Sequence, residues 1–445
     1  MQARAGHQNT EYTMKVSADV RAMIERRKKG HTLEAPFYAS EEIHALDMDA
    51  IFRRHWIQVA VEPDVPEAGD YMTVELGNDS ILIVRDDDMQ IRAFHNVCRH
   101  RGARLCSSEK GSLGNIVCPY HSWTYNLNGD LMFAEHMGEQ FDKCKHSLKK
   151  VHVENLAGLI FICLAETPPA DFAVLRASME PYLKPHGLAD CKVAAAIDII
   201  EKGNWKLTME NNRECYHCVA NHPELTISLY EYGFGYQRSA DNEEAMAAFE
   251  RTVEERTKQW EAMNLPSKEI DRLSDLVSGF RTQRLPLDRS GESQTMDAKV
   301  ASKKLLGGFQ QADLGGLSFW TQPNSWHHFM SDHIVSFSVI PLSAGETLVR
   351  TKWLVHKDAK EGIDYNVDNL TAVWRATNDQ DRALVEFSQL GVTSSAYEPG
   401  PYSPFTEGLV EKFCEWYIGR LDDYASTPDE ASVSDHGEKV VSFKR

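Results

Sequence analysis

Four residues with metal-binding side chains fall in one stretch, HNVCRHRGARLCSSEKGSLGNIVCPYHSW: Cys98 and His100, then, after 17 residues, Cys118 and His121. Each half of the motif offers one thiolate and one imidazole. Structural zinc sites more often group like ligands together. A [2Fe–2S] cluster of the mixed-ligand kind needs two thiolates on one iron and two imidazoles on the other. A Cys/His pair on each loop suits that cluster, because each loop then reaches both irons. Gly102, Gly111, Gly114 and Pro119 supply tight turns nearby, where backbone amides could donate to the cluster sulfurs. Imidazole ligands make such a cluster less reducing than an all-thiolate one, which suits it to passing single electrons. Zinc is the alternative occupant.

A second set lies in NWKLTMENNRECYHCVANHPEL, where His217 and His222 are five residues apart. On a regular helix that spacing turns the two side chains about 140° from each other. They can share one metal only if the helix stops between them, and Pro223 provides a stop by pushing His222 towards extended backbone. Two histidines and one carboxylate, with coordination positions left open, hold oxygen-activating Fe(II). The carboxylate must then come from a distant segment. Asp381, in TNDQDRALVE, is the first choice, Asp379 the alternative and Asp332 the third; any of them alone also fits a helix cap or a solvated charge. Glu210, Glu214 and His217 recur at helical spacing, which would set a carboxylate beside a ligand histidine. Cys106, Cys144, Cys163, Cys191 and Cys414 have no partner at ligand spacing and read as small buried hydrophobes. Cys215 and Cys218 form a lone Cys-x-x-Cys, without the second pair of a zinc site, and read as core too.

The surrounding elements divide in two. From about 70 to 165, the segments YMTVEL, SILIVRD, QIRAFHNV and LIFICLA are β-branched or aromatic and are separated by Gly, Asn and Asp turns. This reads as an all-β module that contains the whole first motif. Before it, Val16–Lys29, ended by Gly30, and Met48–Trp56 read as helices. After it, helices are expected at Ala170–Leu183, Trp205–Cys218, Glu243–Met263, Asp368–Gln389 and Glu407–Arg420. Strands are expected at Lys192–Ile200, Leu317–Trp320, His333–Ile340 and Thr347–Leu354. Strands bracketed by long helices point to an α+β second domain. The division is therefore 1–45 as a helical lead-in packing on the catalytic domain, 46–165 as the all-β domain, 166–425 as the catalytic domain and 426–445 as a polar tail.

Bulk properties restrict the function. The chain has 445 residues, 42% hydrophobic and 26% charged, so a sizeable core is expected. A net charge of −18 argues against nucleic-acid or anionic-membrane binding and leans towards cationic partners. No apolar run approaches the ~20 residues of a membrane-spanning helix, and the first residues carry no signal-like stretch. Nine cysteines without a framework pattern fit a reducing cytoplasm.

The two motifs, in this order, resemble the α subunits of Rieske non-haem iron ring-hydroxylating oxygenases over about 40–420. The resemblance implies an N-terminal Rieske [2Fe–2S] domain, a helix-grip catalytic domain with mononuclear Fe(II), and a homotrimer. In such an assembly an acidic residue joins a cluster histidine of one subunit to an iron-ligand histidine of the next. By motif match that residue is Glu214, joining His217 to His121 or His100. The aromatic dioxygenase pattern has Asp at this position; the longer Glu214 re-aims the bridge and points to a subgroup. ENNRECYHC, TKWLVHKDAKEGIDY, WRATNDQDR and YEPGPYS are similar to oxygenases that demethylate glycine betaine and proline betaine (stachydrine). Asp381 corresponds to their carboxylate ligand.

The activity implied is N-methyl hydroxylation of a quaternary ammonium substrate with O2, followed by release of formaldehyde. Electrons would come from a separate flavin/[2Fe–2S] reductase using NAD(P)H, since this chain shows no nucleotide-binding glycine fingerprint. Trp320, Trp326 and Phe329, in LSFWTQPNSWHHFMSDH, are candidates to face the cation, although strand alternation turns only some of them inwards. A ring-hydroxylating dioxygenase of an aromatic acid, and a non-catalytic iron–sulfur or zinc protein, are the competing readings.

Overall fold

The computed structural model describes residues 16–230, 239 and 241–427, so the start of the lead-in and nearly all of the tail expected at 426–445 lie outside the described residues. The first helices are α1 (Ala18–Glu25), α2 (Ala35–Ala39) and α3 (Glu41–Asp47). Ser17 caps α1 by accepting from the Val20 amide, and Ser40 caps α3 by accepting from the Ile43 amide. The helix expected over 16–29 stops at Glu25, and Gly30 turns the chain beyond it with φ +71°. The helix expected at 48–56 is a short wide turn over Met48–Phe52 that continues α3.

Asp47 anchors this lead-in. Its carboxylate is fully buried and accepts from Lys206 Nζ, Trp205 Nε1 (2.9 Å) and the Tyr417 hydroxyl (2.6 Å). Removing one partner of a buried pair strands the other charge without compensation. Asp47→Ala is therefore expected to cost about 3–5 kcal/mol, read as a lower urea midpoint.

Ten strands follow: β1 (Ile57–Val61), β2 (Asp70–Leu76), β3 (Asp79–Arg85), β4 (Ile91–His95), β5 (Lys110–Ser112), β6 (Ile116–Val117), β7 (Thr124–Tyr125), β8 (Leu131–Phe133), β9 (Lys150–Leu156) and β10 (Leu159–Cys163). Seven form an antiparallel sheet in the order β1-β10-β9-β4-β3-β2-β5, while β6-β7-β8 form a small sheet of their own. Leu82, Val84, Phe94, Trp123 and Tyr125 close a core between these sheets that includes Cys98 and Cys118.

The rest of the chain contributes α4 (Phe172–Leu183), β11 (Cys191–Glu201), α5 (Trp205–Asn212), α6 (Cys218–Asn221), α7 (Glu243–Ala262), β12 (Ile270–Arg272), β13 (Phe280–Leu285), β14 (Gly316–Thr321), β15 (Ser325–Phe329), β16 (His333–Ser343), β17 (Glu346–His356), α8 (Val367–Val392) and α9 (Gly408–Ser426). Among the described residues its seven strands form one antiparallel sheet, ordered β11-β17-β16-β15-β14-β13-β12. Helix α8, capped by Asn366, buries Leu370, Val373, Trp374, Thr377 and Asn378 at helical spacing, and Asn378 bonds Thr351 on β17. One face of the sheet thus packs on a long helix, as an α+β domain requires. Buried Asp64 ties the two sheets together by accepting from Lys110 on β5 (2.7 Å) and from Lys352 on β17. Among the described residues, no helix is long and apolar enough to cross a membrane.

Candidate metal centres and substrate cavity

The two halves of the first motif fold alike. Cys98 N donates to Ala103 O and Gly102 N to Cys98 O; Cys118 N donates to Trp123 O and Ser122 N to Cys118 O. Each cysteine therefore opens a tight turn. Gly102 (φ +75°) and Ser122 (φ +57°) adopt the left-handed backbone that closes these turns. Both cysteines are buried, whereas His100 and His121 are exposed, with ring centroids 4.7 Å apart. Trp123 stacks on His100 and Tyr120 on His121. The buried Tyr125 hydroxyl lies 3.4 Å from Cys98 Sγ. Burial raises the Cys118 thiol, and the neighbouring Cys98 acts in the same direction. Two inward sulfurs and two converging imidazoles are the donor types that a mixed-ligand [2Fe–2S] cluster would take.

The second set comes together where the chain breaks after α5. The helix expected to run to Cys218 ends at Asn212, and a one-turn helix, α6, follows with His217 and His222 as its caps. Glu214 falls in the break. It is therefore no longer in a helical stripe with Glu210, which is buried and accepts from the Tyr38 and Tyr402 hydroxyls.

Asp381 Oδ1 lies 3.0 Å from His222 Nε2 and 3.4 Å from His217 Nε2. The His222 nitrogen and the Asp381 oxygen are both buried, yet they are not aligned to hydrogen-bond each other. Lone pairs that converge without pairing suit a shared cation. The opposite ring nitrogens are fixed from behind: His217 Nδ1 pairs with Glu214 Oε1, and His222 Nδ1 with Gln380 Oε1 (2.8 Å), which Glu224 orients in turn. Such partners set the tautomer that leaves Nε2 free for a metal. Burial opposes protonation of His217, but the Asp381 and Glu214 carboxylates outweigh it and push the imidazole up to about 9. Protons held in this way are those a divalent cation displaces.

Cys218 Sγ also lies within 4.8 Å of ligand atoms of His217 and His222. However, it is bonded to Cys215, so this pair is a disulfide rather than two free core thiols. A sulfur already in a disulfide is a poor metal ligand, and Asp381 is the better third donor. The other aspartates weighed are engaged elsewhere. Asp379 is an exposed partner of Arg382, while Asp332 is buried against His333 and accepts from the Ala301 and Ser302 amides.

Beside these residues opens a cavity of about 430 Å³. Trp320 lines it, as do His328, Trp374 and Arg213, none of which except Trp320 stood out in the sequence. Trp374 precedes Asp381 by seven residues on α8, two turns along one face, and that spacing could have revealed it. His328 stacks on Trp374 and is held neutral by burial, its pKa lowered to about 3. Trp326 is paired across β14–β15 with Trp320 but lines a smaller neighbouring cavity. Phe329, of opposite strand parity, packs on the far side of the sheet against His186.

The chain matches two family models: the Rieske [2Fe-2S] domain over residues 55–155, and the ring hydroxylating alpha subunit (catalytic domain) over residues 188–423. It is 44% identical over 416 residues to the glycine betaine monooxygenase oxygenase subunit of Pseudomonas aeruginosa (strain UCBPP-PA14), covering 92% of this chain and 93% of that one. To the protein of the same description from Chromohalobacter salexigens it is 45% identical over 407 residues, covering 90% and 89%. In fold it is similar to the quaternary ammonium Rieske monooxygenase CntA in complex with L-carnitine, with TM-score 0.65, 24% identity and coverage of 90% of this chain and 98% of that one.

Proposed function

Because the chain belongs to the ring-hydroxylating oxygenase α subunits with a Rieske domain, we propose that it demethylates glycine betaine or a closely related betaine. It is an oxygenase subunit whose family carries a Rieske cluster and a mononuclear iron. The substrate reading rests on one observation: the likeness to glycine betaine monooxygenase oxygenase subunits runs through nine-tenths of the chain.

In this reading Cys98, His100, Cys118 and His121 hold the cluster, and His217, His222 and Asp381 hold the iron. Bound there, the cluster supplies single electrons and the iron activates O2. The protein's own residues set the stage for that chemistry. Gln380 and Glu214 fix the two histidine rings, and the Trp374–His328 stack gives the cavity an apolar wall. Glu214 is also the hydrogen-bonded bridge to His121 or His100 of a partner subunit in a homotrimer. A separate flavin/[2Fe–2S] reductase draws the electrons from NAD(P)H.

Hydroxylation of one N-methyl group gives a hemiaminal, which collapses to formaldehyde and the demethylated amine. The sum is glycine betaine, O2, NAD(P)H and a proton in, with dimethylglycine, formaldehyde, water and NAD(P)+ out. Reductase-coupled turnover with glycine betaine is expected to release formaldehyde in step with NAD(P)H consumed. A cis-diol from an aromatic acid, with no formaldehyde from any betaine, would refute the reading.

A further inference from the structure

We propose that Arg213, with Arg281 beside it, is the anchor for the substrate's carboxylate, so that the cavity is charge-polarised to present a betaine's N-methyl end to the iron ligands. This inference rests on the betaine reading and adds a binding residue to it.

Arg213 is 0% exposed, yet it lines the cavity. Its partners are all neutral: Nη1 donates to Asn212 Oδ1 (2.7 Å), and Nη2 to Thr321 O (3.3 Å) and Gln322 Oε1 (3.4 Å). Its Nε is buried with no acceptor. No carboxylate pairs with it among the described residues. A buried guanidinium in that position is costly unless an anion arrives to compensate it. The two Nη2 contacts are long for N–H···O bonds, which leaves that edge free to turn to a stronger acceptor. Burial, with the charge of Arg281 acting in the same direction, lowers the Arg213 guanidinium to about 9.

Arg281 and Arg213 both place their guanidinium carbon 5.1 Å from the Trp320 ring centroid. Trp320 is therefore already occupied by two cations and holds the arginines rather than an ammonium group. Arg281 has one acid, Glu269, at 2.9 Å, which leaves the charge of Arg213 without a carboxylate of its own. Of the acids that line the cavity, Glu214 is turned to the His217 ring and Asp381 lies against both histidines. Asp381 follows Asn378, which bonds β17, whereas Arg281 and Trp320 stand on β13 and β14, at least three strands across the sheet. A zwitterion can satisfy both ends in one orientation only. Its quaternary nitrogen lies towards Asp381 and the two histidines, and its carboxylate at Arg213. That is the orientation in which an N-methyl group is oxidised. A carboxylate also suits a guanidinium geometrically, through paired N–H···O bonds.

The test compares the reductase-coupled wild-type protein with glycine betaine and with its amide, which keeps the cation and the shape but lacks the anion. The wild type is expected to favour the acid by at least about tenfold in KM. Arg213→Gln is expected to raise KM for glycine betaine by about 10–100-fold, to leave kcat within about threefold, and to erase the preference for acid over amide. Iron and sulfide contents check that the variant is intact. Should it not fold, the wild-type comparison alone decides. Equal KM for acid and amide in the wild type overturns the anchor, as does full discrimination in Arg213→Gln. A wild type that releases no formaldehyde from either compound refutes the parent reading instead.

Discussion

Glu214→Gln is expected to keep its full complement of iron and sulfide while coupled turnover falls by at least about 10–100-fold. The carboxylate accepts from the His217 ring and, through its other oxygen, from the Tyr216 and His217 amides. Glutamine preserves the length but presents an NH2 group to one set of these donors, and it carries no charge. The ring of His217 loses its anchor, and the proposed bridge to a partner's cluster loses its acceptor. The metals stay because Glu214 is not itself a proposed ligand. Normal multiple-turnover activity in this variant would remove the bridge from the account.

Asp381→Ala is expected to remove the mononuclear iron and all turnover while sparing the cluster. Iron should fall from about three to about two per chain, with acid-labile sulfide unchanged at about two. Without Asp381 Oδ1, the two Nε2 atoms are left as a pair of neutral ligands, and neither Asp379 nor Asp332 lies where it could substitute. A variant that kept three irons would show that the carboxylate ligand comes from elsewhere.

The sequence made the first motif readable because ligand type and spacing alone specify which loops must meet. The same holds for His217 and His222, since proline at 223 forces the helix to stop wherever the rest of the segment goes. Asp381 was selectable by its segment, but Gln380, which orients His222, was not. On an isolated helix Gln380 and Asp381 point about 100° apart, and only the packing of α8 against the His222 loop brings both to that ring.

The break after Asn212 escaped the periodicity, which runs on through Glu214 to His217 and does not report the local bonds that Glu214 makes to the Tyr216 and His217 amides. Glu210 is held by Tyr38 and Tyr402 from distant segments, while Glu214 is held by His217. The disulfide escaped because Cys-x-x-Cys spacing does not distinguish bonded from free thiols. Among the aromatics, strand parity separates Phe329 from Trp320 and Trp326. Parity cannot say that two guanidiniums already lie against Trp320, or that Trp374 reaches the cavity from a helix. Arg213 had no sequence signal at all; that it is buried without a carboxylate partner among the described residues shows only in the fold.

The most direct test of the account is a single turnover, with protein reduced anaerobically, freed of reductant and mixed with O2 and glycine betaine. Loss of the reduced cluster's paramagnetic signal and appearance of formaldehyde should then rise together in the wild type. Formaldehyde formed while the cluster stays reduced, or a cluster that discharges without any formaldehyde, would contradict it.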